Sequence, residues 1–362
     1  MPTTANTHPL RVAIVGYGLA GSTFHAPIIA ATPGMEVAAI VTSNAQRQAS
    51  VRKHFPEATL YATTDELWKN AALYDLAVIA AVNATHVKLG IAAMRAGLPV
   101  VIDKPMAATV ADAQRLLNTS TETGQKFSIY QNRRWDSDLL TVKKIIKADL
   151  LGTLTRFESR IERYQAQPKA GWKDSPDPQQ AAGQLYDLGS HVIDQALYLF
   201  GQPERVYAEM SIRRPGAQVD DDTFIALHFP NDLITHLWVS QVARISGPRM
   251  LLRGLRGSFV KYGEDPQEAA LRAGGRPGTP DWGKESPEFW GHIETDLQPG
   301  HIHLDGKIES EAGAYQNYYA QMRDAVLGKG PVPVDPHSTL EVIRVIEAAQ
   351  QSASEHRVVN LQ

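Results

Sequence analysis

Two stretches carry side chains suited to moving a proton and stabilising charge. In YDLGSHVID, residues 186–194, Asp187, His191 and Asp194 stand on a segment otherwise built for burial, which continues as QALYLFG. At ~100° per residue, these three and Tyr198 fall within a stripe about 60° wide, too narrow for an ordinary solvent face. An imidazole with an intrinsic pKa near ~6.5 is a natural proton acceptor, and a carboxylate one turn earlier can orient it. A plainer reading makes Asp187 the N-cap of the helix and His191 a satisfied core or surface histidine. Asp194 fits a substrate contact and a structural hydrogen bond equally well. In VIDKPMA, Asp103, Lys104 and Pro105 follow an apolar run. An ammonium there can hydrogen-bond a substrate hydroxyl and stabilise the alkoxide that develops as hydride leaves. An isolated Lys-Pro is otherwise a surface lysine on a loop.

The partner for such chemistry is a dinucleotide. GYGLAG places Gly16, Gly18 and Gly21 around Tyr17, Leu19 and Ala20, directly after the strand-like RVAIV and at the opening of a helix. The first glycine permits the tight turn, the second lets the backbone approach a pyrophosphate, and the third lets helix pack on strand. NAD-binding domains usually place Asp or Glu at the end of the second strand, on the ribose hydroxyls. Here Glu36 begins that strand, and its far end reads VTSNAQR. Thr42, Ser43, Asn44 and Arg47 offer hydroxyl, amide and guanidinium groups that suit a 2′-phosphate, so NADP is expected in preference to NAD. Arg47 also fits a solvated helix face. After the fourth strand, Ala81, Val82, Asn83 and His86 are expected along the cofactor, unless His86 caps its own helix.

Positioning these groups requires a layered scaffold. From Arg11 to about Tyr130, short β-type runs alternate with helical ones, predicting a parallel sheet covered on both faces. Beyond NRRWDSD, a helix near 139–148 leads into the long run GTLTRFESRIERY. Then RVYAEMSI, TFIALHF, LITHLWVSQV and GSFVKYG follow with few helices between, predicting a mostly antiparallel sheet in a second, α+β domain. The expected division is residues 1–130 for dinucleotide binding and 131–362 for substrate binding and oligomerisation. A Gly- and Pro-rich loop is expected over 272–295, and closing helices over 311–326 and 338–354. At the junction, YQNRRWDSD can hold a polar substrate through Asn132 and Arg133 or brace the interface through Arg-Asp pairs. VDDDTF reads as a charged turn before a strand. GHIHLDG puts His301 and His303 on one face of an exposed strand, with no third ligand spaced for a metal.

The bulk figures narrow the class. A chain of 362 residues, 43% hydrophobic, can fill two cores. A net charge of -3 lacks the basic footprint of a nucleic-acid binder. Cysteine is absent, which removes disulfides, thiolate metal sites and cysteine nucleophiles. No secretory signal or membrane-length apolar run is evident, so a soluble, cytoplasmic protein is expected.

Together AIVGYGLAG, FHAP, VNATH, DKP, NRRWDSD, YDLGSHVIDQA and GSFVKYGEDPQE resemble the glucose-fructose oxidoreductase/inositol dehydrogenase (Gfo/Idh/MocA) family, from about Arg11 to the C-terminus. The resemblance implies an N-terminal Rossmann domain and a C-terminal domain with a large, open, mostly antiparallel sheet often used for homodimer or homotetramer contacts. It implies that Lys104 matches the lysine of the family's Glu-Lys-Pro motif, with Asp103 in place of the more common Glu. It also implies that Asp187 and His191 match the polar pair on the helix bordering the active site. Within the family the likeness is to bacterial NADP-dependent scyllo-inositol dehydrogenases, which implies oxidation of scyllo-inositol to scyllo-inosose. A reductase of another keto- or anhydro-sugar is the alternative enzyme, and a non-catalytic cofactor-binding sensor the alternative class. A polyol needs many hydrogen-bond partners and little charge. Asn132, Arg133, Tyr164, Trp172 and Asp194 are the candidates, although Tyr164 and Trp172 fit core or lid packing equally.

Overall fold

The computed structural model describes residues 8–168, 171–298 and 302–361. Six parallel strands form the first sheet: β1 (Leu10–Val15), β2 (Met35–Val41), β3 (Thr59–Tyr61), β4 (Leu76–Ile79), β5 (Val100–Asp103) and β6 (Phe127–Tyr130). Their order is β3-β2-β1-β4-β5-β6, which reverses direction between β1 and β4 and opens a crevice at their carboxyl ends. β4 is buried at every position and β1 at all but one, as a sheet covered on both faces requires. The crossovers are α1 (Ala26–Ala31), α2 (Ala45–His54), α3 (Thr64–Lys69), α4 (His86–Arg95) and α5 (Val110–Thr123). Local chemistry sets their ends: Asn44 caps α2, Thr63 and Glu66 form a capping box on α3, and Gly124 ends α5 in the left-handed region. β3 is only three residues long, too short to give an alternation of its own in the sequence.

The second sheet has nine strands. They are β7 (Leu154–Glu162), β8 (Arg205–Ser211), β9 (Asp222–His228), β10 (Ile234–Ser240), β11 (Met250–Gly254), β12 (Gly257–Lys261), β13 (Gly291–Gln298), β14 (Ile302–Ile308) and β15 (Val359–Asn360). In the order β14-β13-β12-β11-β7-β10-β9-β8-β15, β7 and β10 pair in parallel and the other neighbours run antiparallel. One face packs against α6 (Ser137–Lys147), α7 (Ser190–Phe200) and α10 (Pro336–Glu355), whose apolar residues share a core with the strands. A short α8 (Gln267–Arg272) precedes the Gly- and Pro-rich stretch, and α9 (Gln316–Val326) follows the last hairpin. Tyr315, Tyr318, Tyr319 and Met322 return to the first sheet, where Tyr318 and Tyr319 pack on Tyr130.

Four expectations need correcting here. The loop expected over 272–295 ends at Gly291, because the residues after it pair with β12. It is also anchored, by the fully buried ion pair of Lys261 with Glu285 at 2.9 Å and by Trp282 donating to Gln267 and Gln316. α9 begins at Gln316, not near residue 311. The VDDDTF run is not a simple charged turn. The Asp220 carboxylate accepts the Leu185 amide at 2.7 Å, and that of Asp221 accepts the amides of Arg213 and Arg214. His303 lies on exposed β14 and pairs with Asp296 at 3.0 Å, while His301 lies outside the described residues. Among the described residues no side-chain group could hold a metal, and no helix is long and apolar enough to cross a membrane.

The fourth correction concerns Asp194. Its carboxylate takes two hydrogen bonds from the Arg134 guanidinium, at 2.8 and 2.7 Å, with both side chains buried. Arg134 also lies over the Tyr198 ring, 4.7 Å from its centroid. The lower half of the polar stripe on α7 therefore clamps the helix to the turn Asn132–Trp135, and Asp194 does not line the cleft. Removing one partner strands the other charge in a dry interior, which costs about 3–5 kcal/mol. Asp194→Ala is expected to lose about that much unfolding free energy in urea titration, and a loss below about 1 kcal/mol would contradict the clamp.

Candidate active site

The carboxyl ends of β1, β4 and β5 meet the start of α7 across a cleft of about 830 Å³. The dinucleotide turn forms one wall. Gly16 adopts φ +99°, and a Cβ there would sit 2.4 Å from the Ala80 carbonyl oxygen. A Cβ on Gly21 would sit 2.1 Å from the Gly16 oxygen, so strand, turn and helix close up as a phosphate-binding turn requires. Above Gly18 the space is open but for the Arg47 guanidinium, 4.0 Å from where a Cβ would stand. The helix then opens with a π-helical turn, Ala20–His25, running into α1. A pyrophosphate fits this cradle: its floor is bare backbone and a guanidinium overlooks it.

Tyr17, Leu19, Ala20, Thr42, Ser43, Ala81, Val82, Asn83 and Asp103 also line the cleft. Three expected cofactor contacts work differently. Asn44 is spent on capping α2, its Oδ1 accepting the Arg47 amide at 3.0 Å. The Asn83 amide faces the cleft but donates to the carbonyls of Gln180 and Ala181, tying the two sheets' surroundings together. His86 is fully buried, with ring nitrogens 2.9 Å from the Pro105 oxygen and 3.1 Å from the Ala81 oxygen. It neither touches the cleft nor caps its helix by a side-chain bond; it braces the loops after β4 and β5. Those loops carry Ala81 and Lys104.

Opposite lies the start of α7. A second π-helical turn, Leu185–Gly189, precedes it. Asp220 fixes that turn through Leu185, and a Cβ on Gly183 would strike the Asp220 carboxylate. Asp187 therefore sits within the helical ridge and does not cap it. Lys104 Nζ donates to Asp187 Oδ1 at 2.7 Å, and Lys173 Nζ donates to Oδ2 at 3.2 Å. Burial alone would raise the Asp187 carboxyl, but the two ammonium groups outweigh it and hold it far below the usual carboxylate range. The expected bond from Asp187 to His191 is not formed. His191 lines the cleft with its Nδ1 buried and without a hydrogen-bond partner. Burial, then the charges of Lys104 and Arg133, push its pKa well below the ordinary value, so the ring is neutral.

Arg133 lines the cleft from the junction turn, its guanidinium held by Asp136 at 3.1 Å and Glu268 at 2.8 Å, with Asn132 beside it. Tyr164 and Trp172 line the far rim. The Tyr164 hydroxyl accepts from Arg244 at 2.8 Å, and the Arg244 guanidinium covers the ring. Lys173 was missed in the sequence reading. It lies in an irregular stretch with no periodicity, and only its neighbour Trp172 drew attention.

This geometry has close relatives. An oxidoreductase-family model for the NAD-binding Rossmann fold matches residues 10–131, and one for the family's C-terminal alpha/beta domain matches 143–361. The scyllo-inositol 2-dehydrogenase (NADP(+)) IolW of Bacillus subtilis is 35% identical over 353 residues, 98% of this chain and 96% of that protein. The uncharacterized oxidoreductase YdgJ of Escherichia coli is 36% identical, over 96% of this chain and 97% of its own length. The solved structure of the Bacillus subtilis protein yvaA, described as an oxidoreductase, superposes with a TM-score of 0.91 at 35% identity. That match covers 98% of this chain and all of the other.

The electrostatics make a checkable statement. His191 is expected to remain neutral in an NMR titration as pH falls through 6.5, since its charged form is disfavoured. Lys104→Met removes one of the charges that lower it, so the midpoint should move upward. An unchanged midpoint would refute the coupling.

Proposed function

Because the chain belongs to the Gfo/Idh/MocA oxidoreductase family, we propose that it is an NADP-dependent dehydrogenase that oxidises a ring hydroxyl of a cyclitol, with scyllo-inositol as substrate and scyllo-inosose as product. The observation that carries this reading is the convergence of Lys104, Asp187 and a neutral His191 at the mouth of the dinucleotide cradle. The cofactor supplies the hydride acceptor when it is bound there. Gly16 and Gly18 leave room for its pyrophosphate, and Thr42, Ser43 and Arg47 stand at the end of β2 where an NAD enzyme would carry an acid. Glu36 is at the other end of that strand, paired with Arg11. The NADP dependence in the name of the Bacillus relative points the same way.

The chain's own groups divide the proton chemistry. His191, held neutral by burial and neighbouring cations, takes the hydroxyl proton. Lys104 stabilises the oxygen as it becomes an alkoxide. Asp187 acts on Lys104 in place of the imidazole: it fixes the ammonium from across the cleft, and Lys173 shares its charge. The charge balance suits an uncharged polyol. Among the described residues, Lys104, Arg133, Arg163, Lys173 and Arg214 line the cleft away from the glycine turn. Each has an acid beside it: Lys104 and Lys173 share Asp187, Arg133 pairs with Glu268, Arg163 with Glu264 and Arg214 with Asp221.

Reduced-nicotinamide absorbance tests the proposal. Turnover is expected with scyllo-inositol ahead of myo-inositol and glucose, at a higher kcat/KM with NADP than with NAD. Equal or better efficiency with NAD would sink the NADP assignment, and binding without turnover across a broad polyol panel would favour a sensor. His191→Ala should lower kcat about 10²–10⁴-fold while NADPH still binds. Full turnover in that variant would remove His191 from the mechanism.

A further inference from the structure

The second domain also reaches the cofactor end of the cleft. α8 follows β12 and packs against the π-helical turn Ala20–His25 that opens the dinucleotide helix. At its C-terminal end, Arg272 lines the cleft, and its guanidinium carbon lies 5.7 Å from the Phe24 ring centroid. Its Nε and one terminal nitrogen donate to Glu268 Oε1 at 3.0 and 2.8 Å, which fixes the fork. Glu268 is itself bound by Arg133 and is held as a carboxylate, its pKa pulled down to about 2 against the effect of burial. The other terminal nitrogen of Arg272 has no partner among the described residues, and the side chain is 46% exposed.

The charge map assigns this group a ligand. Among the cationic side chains of the cleft, Arg47 has no acidic partner among the described residues, and Arg272 keeps one terminal nitrogen free beyond its pair with Glu268. Arg47 overlooks Gly18 from α2, and Arg272 lies by Phe24 in the π-helical turn that follows the glycines. The unpaired Arg47 guanidinium and the free terminal nitrogen of Arg272, both lining the cleft by the glycine cradle, suit a dianionic pyrophosphate, since guanidinium N–H groups donate well to phosphate oxygens.

We infer that Arg272 is a phosphate ligand of the dinucleotide, delivered by the C-terminal domain, so that the cofactor is held from both domains at once. The inference rests on the reading of the cleft as a nicotinamide-dinucleotide site. Because the pyrophosphate is common to both nucleotides, Arg272 strengthens NADPH and NADH binding alike, whereas the groups after β2 discriminate between them. Bound nucleotide then joins the glycine turn to α8 and stabilises the junction between the domains.

Calorimetric titration of the whole protein with NADPH and NADH, without substrate, separates the possibilities. Arg272→Met is expected to weaken both nucleotides by about tenfold, the size of one lost charge-assisted contact. Arg272→Lys should restore part of that loss. The nucleotide-induced rise in melting temperature should shrink in Arg272→Met, while the melting temperature of the nucleotide-free protein stays near that of the wild type. Affinities within twofold of wild type, for a wild type that binds NADPH, would overturn the inference and leave Arg272 as a partner of Glu268 only. A selective loss of NADPH would also overturn it, by placing Arg272 on the 2′-phosphate. A wild type that binds neither nucleotide would overturn the functional reading itself.

Discussion

The contact between Lys104 and Asp187 is the constraint on which the rest of the site depends. Each partner comes from a different sheet's surroundings, and their 2.7 Å hydrogen bond closes the cleft between them. An ammonium and a carboxylate withdrawn from water need compensation beyond each other. Asp187 has it in Lys173, while Lys104 has it in the Asp187 backbone carbonyl. The array carries two positive charges to one negative, and the surplus falls on His191. That surplus, added to burial, keeps the imidazole unprotonated without any hydrogen bond to it.

Both ends of this contact are fixed from outside the cleft. On the first side, the buried His86 ring lies between the loops after β4 and β5, and Asp103 accepts the Lys104 amide at 2.9 Å. On the second, Asp220 grips the π-helical turn ahead of α7, and the Arg134–Asp194 pair pins the helix two turns further on. Such support is needed because rotamer freedom at either end would break a contact that long, flexible lysines hold poorly on their own. Asn83 adds a direct tie, reaching Gln180 and Ala181 on the segment that carries Lys173. These polar residues act by holding other side chains in place.

That division explains what the sequence could disclose. The glycine spacing, the β-α alternation and the polar stripe on α7 are local patterns with periods set by backbone geometry, and all three are legible. The roles of Asp187 and Asp194 were not separable, because one helical face meets two environments: the cleft near its start and Arg134 near its end. His86 and Asn83 lie in a stretch that does border the cofactor cradle, yet their side chains turn to carbonyls whose positions depend on the tertiary fold. Lys173 gave no signal, and Glu268 appeared only as the last residue of GSFVKYGEDPQE, with no role of its own. Each gains its role from a partner far along the chain, at separations that periodicity does not report. β13 was hidden for a related reason: GHIETDLQ pairs with β12 through its backbone, while Gly- and Pro-rich sequence precedes it.

The distribution of charge ties these parts to one chemistry. A polyol presents hydroxyls of similar reactivity, so selection among them must come from where the site places its donors and acceptors, not from a net field. A strong net field would instead favour charged competitors. Setting an acid beside each cation of the substrate end, with Lys104 and Lys173 sharing Asp187, limits the field while keeping the hydrogen-bonding capacity of both. By the glycine turn Arg47 has no acidic partner among the described residues, and Arg272 keeps one terminal nitrogen free beyond Glu268, which suits a ligand that brings its own negative charge. On the proposed reading, paired charges face the polyol and the freer guanidinium groups face the anionic nucleotide. The boundary between the two regimes falls at Glu268, which binds Arg133 on the substrate side and Arg272 on the nucleotide side.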